Sequence, residues 1–231
     1  MEENINMTAE RSLEIITQQI EQSRRTVSKT TGQSLYIAGI CIMCTAVLVA
    51  AINLLTCSYG LRGVGHLLWF LLPVVIWQLS RRYIKNRAHT PVSLVGSMVA
   101  KTWKTFGYFA IGVFAIAIVW SLVAPPYLTP DIYVCSRIRV APVIVLLMGM
   151  AISVTGHILR QRWLVTFGIV AGLLCFAWEH FEIGSVILMR FESPDNLTAL
   201  AVVSSLPCIT IFIFGLVGLL LPGLKLKNQS L

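Results

Sequence analysis

The chain has 231 residues, of which 56% are hydrophobic and only 12% are Asp, Glu, Lys or Arg, and its formal net charge is +8. A soluble domain carries about 25% charged residues, so the composition excludes an ordinary water-soluble enzyme and points to lipid as the solvent. The basic residues flank apolar runs and do not gather on one folded face, which favours membrane-surface flanks in contact with membrane lipid and argues that no nucleic acid is bound.

In chain order, the first 34 residues are mostly polar. Thr8 is a candidate N-cap, Glu10 and Glu14 suit the positive end of a helix dipole, and Leu13, Ile16, Ile20 and Val27 recur at three-, four- and seven-residue spacing. Residues 1–34 are therefore expected to form an amphipathic cytosolic helix, ending near Thr30 to Gly32, followed by a linker. Its apolar stripe has two readings: it docks a cytosolic protein partner or pairs in a short coiled coil, or it lies on the membrane or against the bundle. No secretory signal precedes the first apolar run, which is expected to act as an uncleaved signal anchor.

A bilayer core about 30 Å thick takes about 20 helical residues to cross. On that measure six spans are predicted, at about 35–56, 62–79, 100–124, 140–158, 163–180 and 197–221, leaving 223–231 as a cytosolic tail. The expected fold class is an all-α polytopic transmembrane helix bundle. The second span is the shortest, with His66 near one end and Pro73 inside, where the ring should kink it. Thr90 followed by Pro91 reads as a helix start, so a helix is expected to run through Lys101 and Lys104 into the third span. Pro125, Pro126 and Pro130 then make an extended loop.

Every second loop is basic: Arg24, Arg25 and Lys29, then Arg81 to Lys104, then Arg160 and Arg162, then Lys225 and Lys227. By the positive-inside rule, six spans with both termini in the cytoplasm satisfy these biases, with Arg137 and Arg139 as an exception on the outer side. Trp77, Trp103 and Trp163 sit beside the basic ends, and Tyr59, Trp120, Tyr127 and Trp178 at the outer ends, as aromatic belts do.

Charged groups inside spans usually mark proton relays or ion paths, and none is apparent. Asn53, Gln78, Ser204 and Ser205 are the candidate lining of a cavity for a neutral or lipophilic solute, arranged around kinks at Pro73 and Pro207. Glu179, His180 and Glu182 are the densest candidate metal ligands, joined by His66 or Asp131, or serve an enzyme acting on lipid at the outer face. The simpler reading is a solvated acidic helix end. No H-E-x-x-H, Walker A or G-x-S-x-G pattern occurs, so no catalytic residue and no cofactor is assigned.

Of the six cysteines, Cys41, Cys44, Cys175 and Cys208 fall within spans and read as small apolar residues, while Cys57 and Cys135 at outer span ends are a candidate disulfide. Gly168 and Gly172, with Gly149 and Ser153, make small-residue ridges. These pack helices within the bundle or between two copies of a homo-oligomer.

The start Ser12-Leu13-Glu14-Ile15-Ile16, the Trp69 to Pro73 stretch leading to Arg81-Arg82, the segment Trp103 to Tyr108, and the closing Leu221-Pro222-Gly223-Leu224-Lys225 together carry a resemblance. The layout resembles a family of small uncharacterised bacterial multi-pass inner-membrane proteins, whose members are often neighbours of winged-helix regulators. The resemblance implies a sensory or accessory role coupling the membrane to a cytosolic partner, and it carries no catalytic residues. The longer outer segments at Pro125 to Arg139 and Glu179 to Asn196 depart from the family's pattern.

Overall fold

The structure is a computed structural model that describes residues 2–56, 64–83, 94–123, 139–184, 186 and 197–228, excluding the side chains of 2–10, 64, 121 and 197–204. The described residues are helical apart from short turns, as the apolar periodicity predicts. Among the described residues there are six helices: α1 (Glu2–Thr56), α2 (Leu68–Tyr83), α3 (Leu94–Val123), α4 (Val140–Leu159), α5 (Arg162–His180) and α6. The last runs from Leu197 to Phe214, through a π-helical segment Gly215–Leu220, and on to Asn228.

Among the described residues, five stretches, not the expected six, are long and apolar enough to cross a membrane: Arg11–Thr56, Leu94–Trp120, Val140–Leu159, Arg162–His180 and Ser205–Asn228. The exception is α2, with 16 residues and Pro73 inside. At 1.5 Å per residue it measures about 24 Å, short of a bilayer core. A 3₁₀ turn, Val64–Leu67, precedes it.

The expected end of the first helix near Thr30 to Gly32 does not occur, and α1 continues as one helix of 55 residues. A glycine inside a helix costs about 1 kcal/mol relative to alanine, but here it permits close packing. A Cβ on Gly32 would lie 2.8 Å from Leu226 Cβ and 2.9 Å from the Lys227 nitrogen. The threonines do not break the helix either, because Thr17, Thr26, Thr30 and Thr56 each donate to the carbonyl one turn back.

The first and last helices are antiparallel neighbours. Gly32 meets Gly223 and Leu226, Gly39 meets Gly215 and Leu220, and Ala46 and Val49 cluster with Cys208. Residues 223–228, expected as a tail, extend this seam, with Gly223 and Leu226 buried against α1. The π segment just before Pro222 has a local cause: a proline ring in an α-helix clashes with the carbonyl four residues back, and a wider turn relieves it. The Leu221 N–H accordingly reaches the Leu216 carbonyl, five residues back.

The closest pair is α4 with α5. Their link is only Arg160 and Gln161, with Arg160 in the left-handed region at φ 56° and the Gln161 N–H on the Gly156 carbonyl at 2.8 Å. Gly149 faces Gly168 and Gly172, Gly156 faces Val165, and Ser153 donates to the Gly149 carbonyl at 2.9 Å. Of the two readings of these small-residue ridges, packing within one chain is the arrangement seen. Between apolar helices in lipid there is little hydrophobic driving force, so dispersion along such a seam carries the association.

Candidate functional site

Contacts sort the helix ends into two groups. At one end, Lys225 lies 4.4 Å over the Trp163 ring and Lys227 lies 5.6 Å over Tyr36, which joins the start of α5, the end of α6 and the middle of α1. Arg24, Arg25, Lys29, Arg160 and Arg162 belong to the same end. At the other end, Thr210 of α6 donates to Glu179 of α5, and Arg139 pairs with Glu182.

Beyond the first end, α1 continues with residues 11–20 all exposed among the described residues. Leu13, Ile16 and Ile20 are 65%, 52% and 44% exposed, whereas Val27, on the same stripe, packs against the core and Thr31 and Leu35 are buried. At 100° per residue these positions share one face. The face that α1 buries against the bundle therefore continues outward with its apolar side chains uncovered. Arg25 and Glu21, both exposed, form an i,i+4 ion pair at 3.9 Å, which supports the helix weakly.

The candidate cavity residues separate. Asn53 is 3% exposed and is committed locally: its Oδ1 accepts from the Gly65 N–H at 3.2 Å, and its Nδ2 lies 3.3 Å from His66 Nε2. Gln78 is exposed, 13 residues further along the chain than Gly65 and thus about 20 Å of helix away. Ser205 is buried in α6, and the side chain of Ser204 lies outside the described residues. A groove on α3, lined by Tyr108, Phe109, Gly112, Val113 and Ile116, is apolar and open.

The three candidate ligands also point to different partners. The Glu179 carboxylate is taken by Thr210, Glu182 by Arg139, and the His180 ring stacks on Phe176 at 5.2 Å. Among the described residues, no three His, Cys, Asp or Glu side chains converge as a metal site. Asp131, Cys57 and Cys135 lie outside the described residues.

Sequence reasoning missed two contributors. A helical threonine hydroxyl ordinarily bonds the carbonyl one turn back, yet Thr210 also reaches Glu179. Arg139 reads as a charge on the wrong side, and that exception was the available signal that an acidic partner, Glu182, stood nearby. Compared with known proteins, the chain matches no family model, no curated protein and no solved structure.

Proposed function

We propose that this chain is a multi-pass protein of the bacterial inner membrane, without enzymatic activity, that couples the membrane to a cytosolic protein through α1. The observation that carries the reading is the uncovered stripe Leu13, Ile16 and Ile20 on a helix continuous with the longest apolar span. Three large apolar side chains held in water on a stiff helix cost solvation free energy that a docked apolar surface recovers, about 1.5 to 3 kcal/mol for each one fully buried.

The directions of the helices support six crossings. α1 ends, and α4 begins, at the Glu179 end: α1 packs antiparallel to α6, α6 to α5, and α5 to α4. The chain between them must then cross an even number of times. With α3 long enough, α2 supplies the other crossing. Its 16 residues plus the four-residue 3₁₀ turn reach about 32 Å. The cationic end is the cytoplasmic one by the positive-inside rule, which puts α1's free stripe in the cytosol.

The test is site-specific photocrosslinking of the full chain in cells. A crosslinker at Ile16 or Ile20 is expected to give one discrete adduct. The same probe at Gln18, on the opposite face, should give none, and Leu13→Ser with Ile20→Ser should abolish the Ile16 adduct. Equal adducts from both faces, or none from either, would overturn the reading.

A further inference from the structure

The part of α1 that projects past the cationic end has a charge of the opposite sign. Between Glu2 and Glu21 the sequence holds five glutamates, Glu2, Glu3, Glu10, Glu14 and Glu21, against Arg11 alone, a net of −4 in a chain whose formal charge is +8. The sign changes at Arg24, Arg25 and Lys29, where α1 reaches the basic ends of α5 and α6.

Helical spacing gathers these acids on one edge. Glu3, Glu10, Glu14 and Glu21 are separated by seven, four and seven residues, so at 3.6 residues per turn their positions fall within about 40° of each other around the helix. Glu14 and Glu21 are exposed, to one side of the stripe of Leu13, Ile16 and Ile20. The edge on the other side of the stripe carries Gln19 and Gln22 and no charge. Glu21 has an ion-pair partner in Arg25, but at 3.9 Å, with the two side chains 58% and 81% exposed, that pair is readily exchanged for another.

The acidic edge decides among the occupants of the stripe. Helices that lie on a membrane are rich in Lys and Arg on their polar face, and the cytoplasmic leaflet is anionic, so it repels a helix with this edge. A second copy in the same membrane pairs in parallel, which sets the acidic edge of each helix beside the uncharged edge of the other and leaves the carboxylates without a cation. A protein surface that buries the stripe and also places Lys or Arg along one side of it answers both chemistries.

We propose that the cytosolic protein docked by α1 presents an apolar groove with a row of basic residues along one side, which pairs with the Glu14 and Glu21 edge and fixes the direction in which the helix is held. A helix turned end for end in the same groove carries its acids on the wrong side, so the charge selects one orientation. This inference rests on the docking role of the stripe, and adds to it the sign of the partner's charge and the side on which it lies.

The test follows the initial rate at which a photocrosslinker at Ile16 of the full chain forms its protein adduct in cells. Glu14→Gln with Glu21→Gln is expected to slow it about fivefold, the loss of two exposed charge pairs, whereas Glu14→Asp with Glu21→Asp should keep most of the rate. Gln19→Lys with Gln22→Lys makes the same change in net charge on the other edge and should alter the rate by less than about twofold. No Ile16 adduct, or one on lipid, on a second copy or on the chain's own Lys85 to His89 segment, would bring down the docking of a cytosolic protein and this inference with it. With a protein adduct present, equal slowing from both edges, or no slowing from the acidic one, would overturn the charge inference alone.

Discussion

The α4–α5 hairpin and helix α3 both carry glycines in apolar sequence, and the two regions use them in opposite ways. In the hairpin, Gly149, Gly156, Gly168 and Gly172 each touch the facing helix, and a Cβ on Gly168 would stand 2.5 Å from Ser153 Oγ and 2.7 Å from the Gly149 oxygen. In α3, a Cβ on Gly107 or Gly112 would meet nothing within 4 Å. The most apolar stretch of α3 has none of its residues buried, against 56% for α4. A glycine in a membrane helix thus becomes a packing device only where a neighbour arrives to use it.

The sharpest way to break this comparison is Gly168→Leu. It should prevent the hairpin from closing, read as loss of monodisperse protein in size-exclusion chromatography. The milder Gly168→Ala should cost about 1 to 3 kcal/mol in reversible unfolding from detergent. Thr210→Val tests whether the far end of α5 needs its polar tie to α6. Losing the hydroxyl leaves the half-buried Glu179 carboxylate without that donor, at a cost of about 1 to 3 kcal/mol in the same assay.

Gly112→Ala sharpens the comparison from the other side. With open space around it, it should raise stability by up to about 1 kcal/mol through helix propensity alone. If it instead cost as much as Gly168→Ala, the Gly112 face of α3 would have a neighbour and the contrast would fail. The smallest effect is expected for Arg139→Ala. Its pair with Glu182 is about half exposed on both sides and should contribute under about 1 kcal/mol, seen as a slight fall in thermal midpoint that high salt reduces.

The helices were legible because nearly uncharged apolar runs of about 20 residues satisfy their backbone in lipid as helices. The α4 and α5 bounds came within a residue or two for that reason, bracketed by Arg139, Arg160 and Arg162. The continuity of α1 was not legible, since Thr30 to Gly32 has the local chemistry of a helix end. Only the approach of Leu226 from the other end of the chain makes a helical glycine profitable there. The candidate site divides in the same way. Periodicity alone identified Leu13, Ile16 and Ile20 as a stripe, but the ties of Asn53 to Gly65 and of Glu179 to Thr210 depend on how separate helices align, which spacing along one helix does not encode.

The seam between α1 and α6 also bears on the order of synthesis. The partner surface for Gly32 and Gly39 is supplied by residues 215–227, so α1, made well before α6, waits for it before this groove is filled. Until then α1 stands in the membrane as a half-packed helix. A chain interrupted before residue 215 would keep Cys208 against Ala46 and Val49 but lack the surface that Gly32 and Gly39 meet.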